Sequence, residues 1–411
     1  MTYIDLFAGA GGLSEGFIRA GYKPVAHVEM DEAACYTLRT RTAYHYLKGK
    51  NRFEEYVKYL KGEITRPALY SLIPEAEMNR VINLALSDEN NAEIFKKIDA
   101  QLTGDVDLII GGPPCQAYSL VGRARSENGM ETDPRNHLYL QYAKFLKKYN
   151  PKMFVFENVV GLRSADKGGY FKKMITEFDK KGYDVKDFLF NASDFGVLQN
   201  RKRIILVGYR KDLNITIPDI KAAFNKKFKV ESVFKDLPKL LAGEGKNKGD
   251  KYVNETNDYL NSNHIRNGID VLTQHVSRPH TEQDKEIYRI AVTLMKHGNR
   301  LNYINLPEEL KTHKNQHSFF DRFKVVDDKA AASQTVVAHI AKDGHYYIHP
   351  DIKQNRSISI REAARLQSFP DDFFFEGVNE GKSRTAAFKQ IGNAVPPLMA
   401  YTISEHLKKI L

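Results

Sequence analysis

Cys115 stands in the loop Gly111-Gly112-Pro113-Pro114-Cys115-Gln116-Ala117-Tyr118-Ser119, directly after the apolar run Asp107–Ile110. A free cysteine ordinarily packs as a small hydrophobe, but these polar and backbone-rich neighbours offer it little apolar cover. Two prolines stiffen the approach and fix the direction of the thiol, so Cys115 reads as a nucleophile. A second group, Glu157, follows directly on the apolar residues of Phe154-Val155-Phe156-Glu157-Asn158-Val159. A carboxyl group there can share a proton with a ring nitrogen; taken alone, it would serve equally as a helix cap or an ion-pair partner. In Gln199-Asn200-Arg201-Lys202-Arg203, strand alternation puts Arg201 and Arg203 on one face, as a countercharge for a reacting group or as a solvated basic edge. The fourth segment, Asp5-Leu6-Phe7-Ala8-Gly9-Ala10-Gly11-Gly12-Leu13, turns from an apolar run into a helix beginning near Leu13. Its glycines admit close backbone approach, and a helix N-terminus offers unpaired N–H groups. The spacing is GxGG, not the GxGxxG of a pyrophosphate loop. Glu29, closing the next apolar run, is placed to hold a ribose diol. A nucleoside without a pyrophosphate fits this turn better than a nicotinamide dinucleotide.

Such groups need a frame that gathers them at one edge. Seven short apolar runs read as strands: Tyr3–Phe7, Lys23–Val28, Val81–Leu86, Asp107–Gly111, Met153–Glu157, Val185–Phe190 and Arg203–Gly208. Amphipathic segments such as Leu138–Lys148 and Tyr170–Lys181 lie between them, with apolar residues three and four apart. Strands alternating with helices imply an α/β fold, a mostly parallel sheet covered on both faces. Ligands then gather at the carboxyl ends of the strands. Residues 1–211 form the expected first domain, with a helical insertion at about 40–79. Residues 212–370 are richer in Lys, Asn, Asp and His and poor in periodicity, so they read as a second domain. Residues 371–411 return to the first. Ile360–Gln367 reads as a helix, and Phe388–Leu411 as a loop leading into a terminal helix. No internal repeat is visible.

Composition narrows the classes. The 411 residues carry a net charge of +11 and are 42% hydrophobic, which is globular and not disordered. The excess of Lys and Arg suits a polyanion, although a merely basic enzyme would look the same. Two distant cysteines, Cys35 and Cys115, make neither a disulfide framework nor a zinc pattern. Cys35, in Ala33-Ala34-Cys35-Tyr36, reads as part of a buried helix face. Nine of the 13 histidines fall between His264 and His349. Pairs such as His313/His317 and His345/His349 lack companion cysteines, so no metal is expected. No apolar run reaches the length of a membrane span, and the cytoplasm is the expected compartment.

Taken in order, the four motifs resemble those of the DNA (cytosine-5) methyltransferase family, in its bacterial type II restriction–modification form. The likeness continues through Arg361-Glu362-Ala363-Ala364-Arg365-Leu366-Gln367-Ser368-Phe369-Pro370 and Gln390-Ile391-Gly392-Asn393-Ala394-Val395-Pro396-Pro397. It implies a Rossmann-like, S-adenosylmethionine-dependent fold with a smaller target-recognition domain in residues 212–370. It implies methyl transfer to C5 of a flipped-out cytosine in duplex DNA, through a covalent Cys115–C6 intermediate, with S-adenosylhomocysteine as product. Glu157 would hold the N3/N4 edge and Arg203 the O2, with Arg201 beside them. The cofactor would contact Phe7, Ala8, Gly9, Gly11, Gly12, Leu13, Glu29, Met30, Pro113, Leu138, Asn393 and Ala394, with Asp88 facing the adenine. Gln116, Ser119, Gly122, Arg123, Arg125, Arg135, Gln199 and Thr335 would face the DNA. Residues 118–132 would close on the base, and Ser333-Gln334-Thr335-Val336 would meet the backbone beside it. A monomer is implied, with a cognate restriction endonuclease acting separately. An RNA cytosine-5 methyltransferase of the same fold and a non-catalytic DNA-binding relative are the rival readings.

Overall fold

A computed structural model describes residues 1–114, 137–214, 216–222, 227–311 and 320–410. All seven expected strands form and join one sheet: β1 (Thr2–Leu6), β2 (Lys23–Glu29), β3 (Val81–Asn83), β4 (Leu108–Gly111), β5 (Met153–Val159), β6 (Tyr183–Asn191) and β7 (Lys202–Arg210). Their order is β3-β2-β1-β4-β5-β7-β6. Neighbours from β3 to β5 pair in parallel, and β7 alone runs against both strands beside it. The chain therefore reverses between β1 and β2 on one side and β4 on the other, so its loops at the carboxyl edge open a crevice there. β3 is shorter than the apolar run 81–86 predicts, because Asn83 turns its amide onto the carbonyls of Glu29 and Met30, both at 3.1 Å.

Strand alternation sorts the core into two layers. Ile4, Leu6, Phe154, Phe156, Ile204 and Leu206 face α6 (Asn91–Asp99), α7 (Leu138–Tyr149) and α8 (Gly169–Lys180). Tyr3, Met153, Val155, Ile205 and Val207 face α1 (Gly12–Arg19) and the terminal helix α13 (Pro397–Lys408). Cys35 is buried on α2 (Glu32–Gly49), as expected. Three short helices follow it: α3 (Phe53–Lys61), α4 (Arg66–Ser71) and α5 (Glu75–Met78). They carry a core of their own that includes Tyr56, Tyr59, Leu60 and Phe374.

Among the described residues of 227–359, strands and α-helices are few: the paired strands β8 (Gly245–Lys246) and β9 (His275–Val276), α9 (Asp258–Ser262) and α10 (Glu282–Lys296). A separate core forms on α10 around Ile287, Tyr288, Phe323 and Ile348. The expected helix at 360–367 is α11 (Ile360–Leu366), capped by Ser359 and Glu362 in a reciprocal pair. The expected loop before the terminal helix is itself helical, α12 (Arg384–Asn393). Its C-cap Ala394 is extended, and two residues that lack N–H donors separate it from α13: Pro396 at the N-cap and Pro397 at the first helical position.

Candidate active site

β5 and β7 bring two of the expected groups together. Glu157 lies opposite Ile205 and Val159 lies opposite Arg203, so the diagonal neighbours Glu157 and Arg203 share a face. The Arg203 Nε meets Glu157 Oε1 at 2.7 Å, with about an eighth of each side chain exposed. This is the face that α1 covers farther along the sheet. The end of β4 is pressed against the same carboxylate. A Cβ at Gly112 would fall 2.6 Å from Glu157 Oε2 and 2.8 Å from its carbonyl oxygen, so only glycine fits there. Pro113 is buried next to it and Pro114 is exposed. The loop bearing the cysteine thus departs from directly beside the Glu157 carboxylate; Cys115 itself, with Gln116, Ser119, Gly122, Arg123, Arg125 and Arg135, lies outside the described residues.

The Gly-rich turn forms a second centre at the ends of β1 and β2. Phe7 takes φ 58°, a left-handed conformation that costs a non-glycine residue on the order of 1–3 kcal/mol. The backbone then curls through Gly9 and Gly11, with the Gly11 N–H on the Ala8 carbonyl at 2.9 Å. Glu29 fastens this turn: its two carboxylate oxygens accept the N–H groups of Gly9 and Asp31, both at 2.7 Å. Burial raises the Glu29 pKa, and those two hydrogen bonds pull it back. Beside Gly9 the space is open for 4 Å around an added Cβ, whereas Gly12 is backed tightly by the Val395 carbonyl and the Phe369 ring. Asp5, one strand turn below, is fully buried with Oδ2 lacking a partner among the described residues. Burial, then the Glu29 charge, pushes its pKa well up. A nucleoside cofactor with a ribose diol suits this cradle, which offers open space over Gly9, the Glu29 carboxylate beside it and the buried Asp5 carboxyl group on the strand below.

The remaining expected residues are dispersed. Met30 is 66% exposed beside Glu29. Leu138 opens α7 half-buried, and Asn393 is exposed at the end of α12 while Ala394 is buried. Ala8 packs with Cys35, Leu38 and Val81, and Leu13 packs in the layer under α13, so both side chains point into the core. Asp88 stands in the open, held by Gln141 at 2.7 Å and by Lys144, both on α7. Arg201 is fully buried and donates to the carbonyls of Val336 (2.7 Å) and Gly392 (3.1 Å). Gln199 is buried too: it donates to the Leu366 carbonyl and the Gln367 side chain and accepts the Val336 N–H at 2.8 Å. These two therefore fasten β7 to the C-terminal half, while Arg203 alone of the basic pair reaches Glu157. Thr335 is half-buried and donates to the Asn200 carbonyl. His275 and His349 are buried in hydrogen bonds to Ser359, Pro238 and Asp351; His313 and His317 lie outside the described residues.

The family profile described as C-5 cytosine-specific DNA methylase matches residues 1–61 and 77–409. This chain belongs to that family. It is 41% identical to the type II methyltransferase M.Bpa9945I of Bacillus paralicheniformis, over all of this chain and 99% of the relative. It is 32% identical to M1.HphI of Haemophilus parahaemolyticus, over all of this chain and 87% of that protein. In fold, it resembles a prophage-encoded protein of E. coli described as a DNA modification methyltransferase, with a TM-score of 0.63, 22% identity, and coverage of 100% and 99% of the two chains. The Entamoeba histolytica methyltransferase EhMeth is similar as well, with a TM-score of 0.54, 14% identity, and coverage of 100% and 98%. As a DNA cytosine-5 methyltransferase, the chain departs from the family profile at residues 62–76, which span α4 and the start of α5.

Three residues that brace the candidate site escaped the sequence. Asn83 steadies the Glu29 strand end, Asp31 caps α2 at Ala34 N and pairs with Lys389 at 2.8 Å, and Gly112 seats Glu157. Only Gly112 left a trace, in the doubled glycine before the prolines.

Proposed function

We propose that this DNA cytosine-5 methyltransferase uses S-adenosylmethionine and works on a cytosine extruded from duplex DNA, with Cys115 as nucleophile. The Glu157–Arg203 pair seated on Gly112, at the root of the Cys115 loop, is the observation that carries the reading. C5 and C6 are buried in the base stack, so the target must leave the helix to be reached. The Cys115 thiolate forms a bond from Sγ to C6, and the ring electrons move toward N3 and O2. Glu157 holds the proton at N3, and Arg203 donates to O2, where negative charge grows. Their mutual ion pair keeps Glu157 oriented before the base arrives. Glu29, the Gly9 turn, Met30 and Leu138 would hold S-adenosylmethionine, whose sulfonium would make the methyl carbon electrophilic, so that C5 would bond to it as the bond to sulfur breaks and S-adenosylhomocysteine is released. Loss of the C5 proton then expels the Cys115 sulfur by β-elimination and restores the aromatic ring.

Residues 212–370 are the proposed target-recognition domain, and residues 1–211 with 371–411 the catalytic one. The likeness to type II methyltransferases supports host-DNA protection in a restriction–modification system, in the cytoplasm, with a separate nuclease reading the same sequence. Tritiated methyl transfer from S-adenosylmethionine, measured on duplex DNA against tRNA, tests the proposal. Incorporation into DNA at C5 of cytosine, lost in Cys115→Ser while S-adenosylhomocysteine still binds, is the expected result. Incorporation into tRNA alone, or full activity of Cys115→Ser, would refute it.

A further inference from the structure

The helices α3 and α4 take no part in the chemistry above, and residues 62–76, which include α4, fall outside the stretches matched by the family profile. Their apolar face is nonetheless spoken for. The core that Tyr56, Tyr59 and Leu60 build takes in Ile269 and Val271 from the proposed target-recognition domain and Phe374 from the returning C-terminal segment. Two domains that meet through a polar boundary swing against each other; an apolar joint holds them.

Polar contacts run through the same joint. Arg66, buried at the start of α4, donates to the carbonyls of Gly377 and Val378, both at 2.7 Å, and lies 3.8 Å from the centre of the Tyr36 ring. Its backbone N–H donates to both oxygens of Glu380, at 2.9 and 3.0 Å. Glu380 in turn accepts the Lys248 ammonium at 3.3 Å. That ammonium sits 3.4 Å from the centre of the Tyr59 ring and 5.3 Å from that of Phe374, with 15% of the side chain exposed. Two aromatic faces and a carboxylate offset the cost of burying this cation. Beside it, the Gly249 N–H donates to the Leu60 carbonyl at 2.9 Å. Gly249 has φ 68°, and a Cβ there would fall 2.8 Å from the Lys61 carbonyl oxygen, so only glycine seats against the end of α3. The loop bearing both residues is tied into the second domain. β8 pairs Gly245 with Val276 and Lys246 with His275, the Asn247 carbonyl accepts the Gln274 N–H at 2.9 Å, and Asp250 bridges Leu272.

We propose that α3 and α4 clamp the Lys248–Gly249 loop and so set the target-recognition domain against the catalytic domain, with Lys248 as a positioning residue. The inference rests on the two-domain, duplex-reading function given above. Duplex affinity is reduced by whatever fraction of molecules is unseated, so a loosened clamp acts on duplex binding and spares the cofactor. Amide hydrogen exchange and steady-state kinetics of the full chain test this. In Lys248→Met the amides of 245–250 and 272–276 exchange about 2–30-fold faster than in wild type, while those of β1, β4 and β5 keep their rates. The KM for duplex rises, and S-adenosylhomocysteine binding and kcat at saturating duplex keep their wild-type values. Lys248→Arg, which retains a cation over Tyr59, restores both readings. Gly249→Ala is a wedge at the Lys61 carbonyl that leaves the charge alone; it gives the same pattern, and it decides should Lys248→Met melt early. Wild-type exchange in both variants, faster exchange at an unchanged duplex KM, or a loss shared by kcat and S-adenosylhomocysteine binding overturns the assignment. Wild-type protein that methylates no duplex would instead break the function proposed above.

Discussion

Two regions of this methyltransferase use the same residue types in opposite ways. Around α11, every charged group is sealed and fully paired. Arg365 grips both Asp236 (2.5 and 3.0 Å) and Asp371 (2.9 and 2.6 Å), and Arg356 holds Glu362 through two bonds at 2.7 and 2.8 Å. Arg41 on α2 does the same for Glu15 and Asp372. At the strand ends the pairing is left incomplete: Arg203 meets one oxygen of Glu157, and both side chains keep a margin of exposure. A buried cation with every donor occupied fixes a fold, and removing it strands its partners. A carboxylate and guanidinium with atoms to spare can engage a ligand instead. Arg201 and Arg203 show the contrast within one motif, the first buried on the Val336 and Gly392 carbonyls and the second partly exposed on Glu157.

Substitutions on either side should separate the two roles. Arg365→Ala leaves Asp236 and Asp371 buried without their cation, so we expect a loss of about 3–5 kcal/mol in denaturant unfolding. Glu157→Gln should lower methyl transfer about 10²–10⁴-fold with the unfolding midpoint unmoved; a midpoint shift as large as that of Arg365→Ala would erase the contrast. Glu29→Gln removes a charged acceptor from the Gly9 turn and should weaken S-adenosylhomocysteine binding about 10–100-fold by calorimetry, with duplex binding retained.

Acid should act on the sealed side. Burial lowers the pKa values of His27 and His349 to about 3 and that of His280 to about 4, from the ordinary 6.5. The unfolded chain takes up protons below pH 6.5 that the native fold refuses, so these groups contribute stability above that pH, and it declines as pH falls toward 4. The slope is about 1.4 kcal/mol per pH unit for each proton. Asp5 and Glu29, with raised values, act in the opposite sense and blunt the decline. Thermal midpoints should therefore drop between pH 7 and 5, less steeply in His27→Gln; equal midpoints at the two pH values would contradict this account.

Much of this was legible beforehand because period and punctuation are local. Short apolar runs marked seven strands, and the carboxyl-edge positions of Glu29 and Glu157 followed from where those runs stop. The family likeness supplied roles that no spacing could. What stayed hidden was long-range. Nothing near Arg201 or Gln199 announces that their partners are Val336, Gly392 and Leu366, more than a hundred residues away. Nor does Arg365 reveal Asp236, or the helical turn of 384–393 reveal itself beside two prolines. Among the described residues of 212–359, short, loop-like segments held by specific hydrogen bonds dominate and carry no period; α10 is the exception, and its apolar face at Ile287, Tyr288, Ala291 and Val292 was there to be read.

The most direct test of the central claim is covalent trapping. Protein incubated with S-adenosylmethionine and a duplex carrying 5-fluorocytosine at its methylation site cannot complete the elimination, because fluorine replaces the C5 proton. We expect a denaturation-resistant protein–DNA adduct whose mass includes the methyl group and whose crosslinked peptide contains Cys115, absent in Cys115→Ala and greatly slowed in Glu157→Gln. An adduct that persists in Cys115→Ala, or one that forms at full rate without the Glu157 carboxylate, would contradict the account.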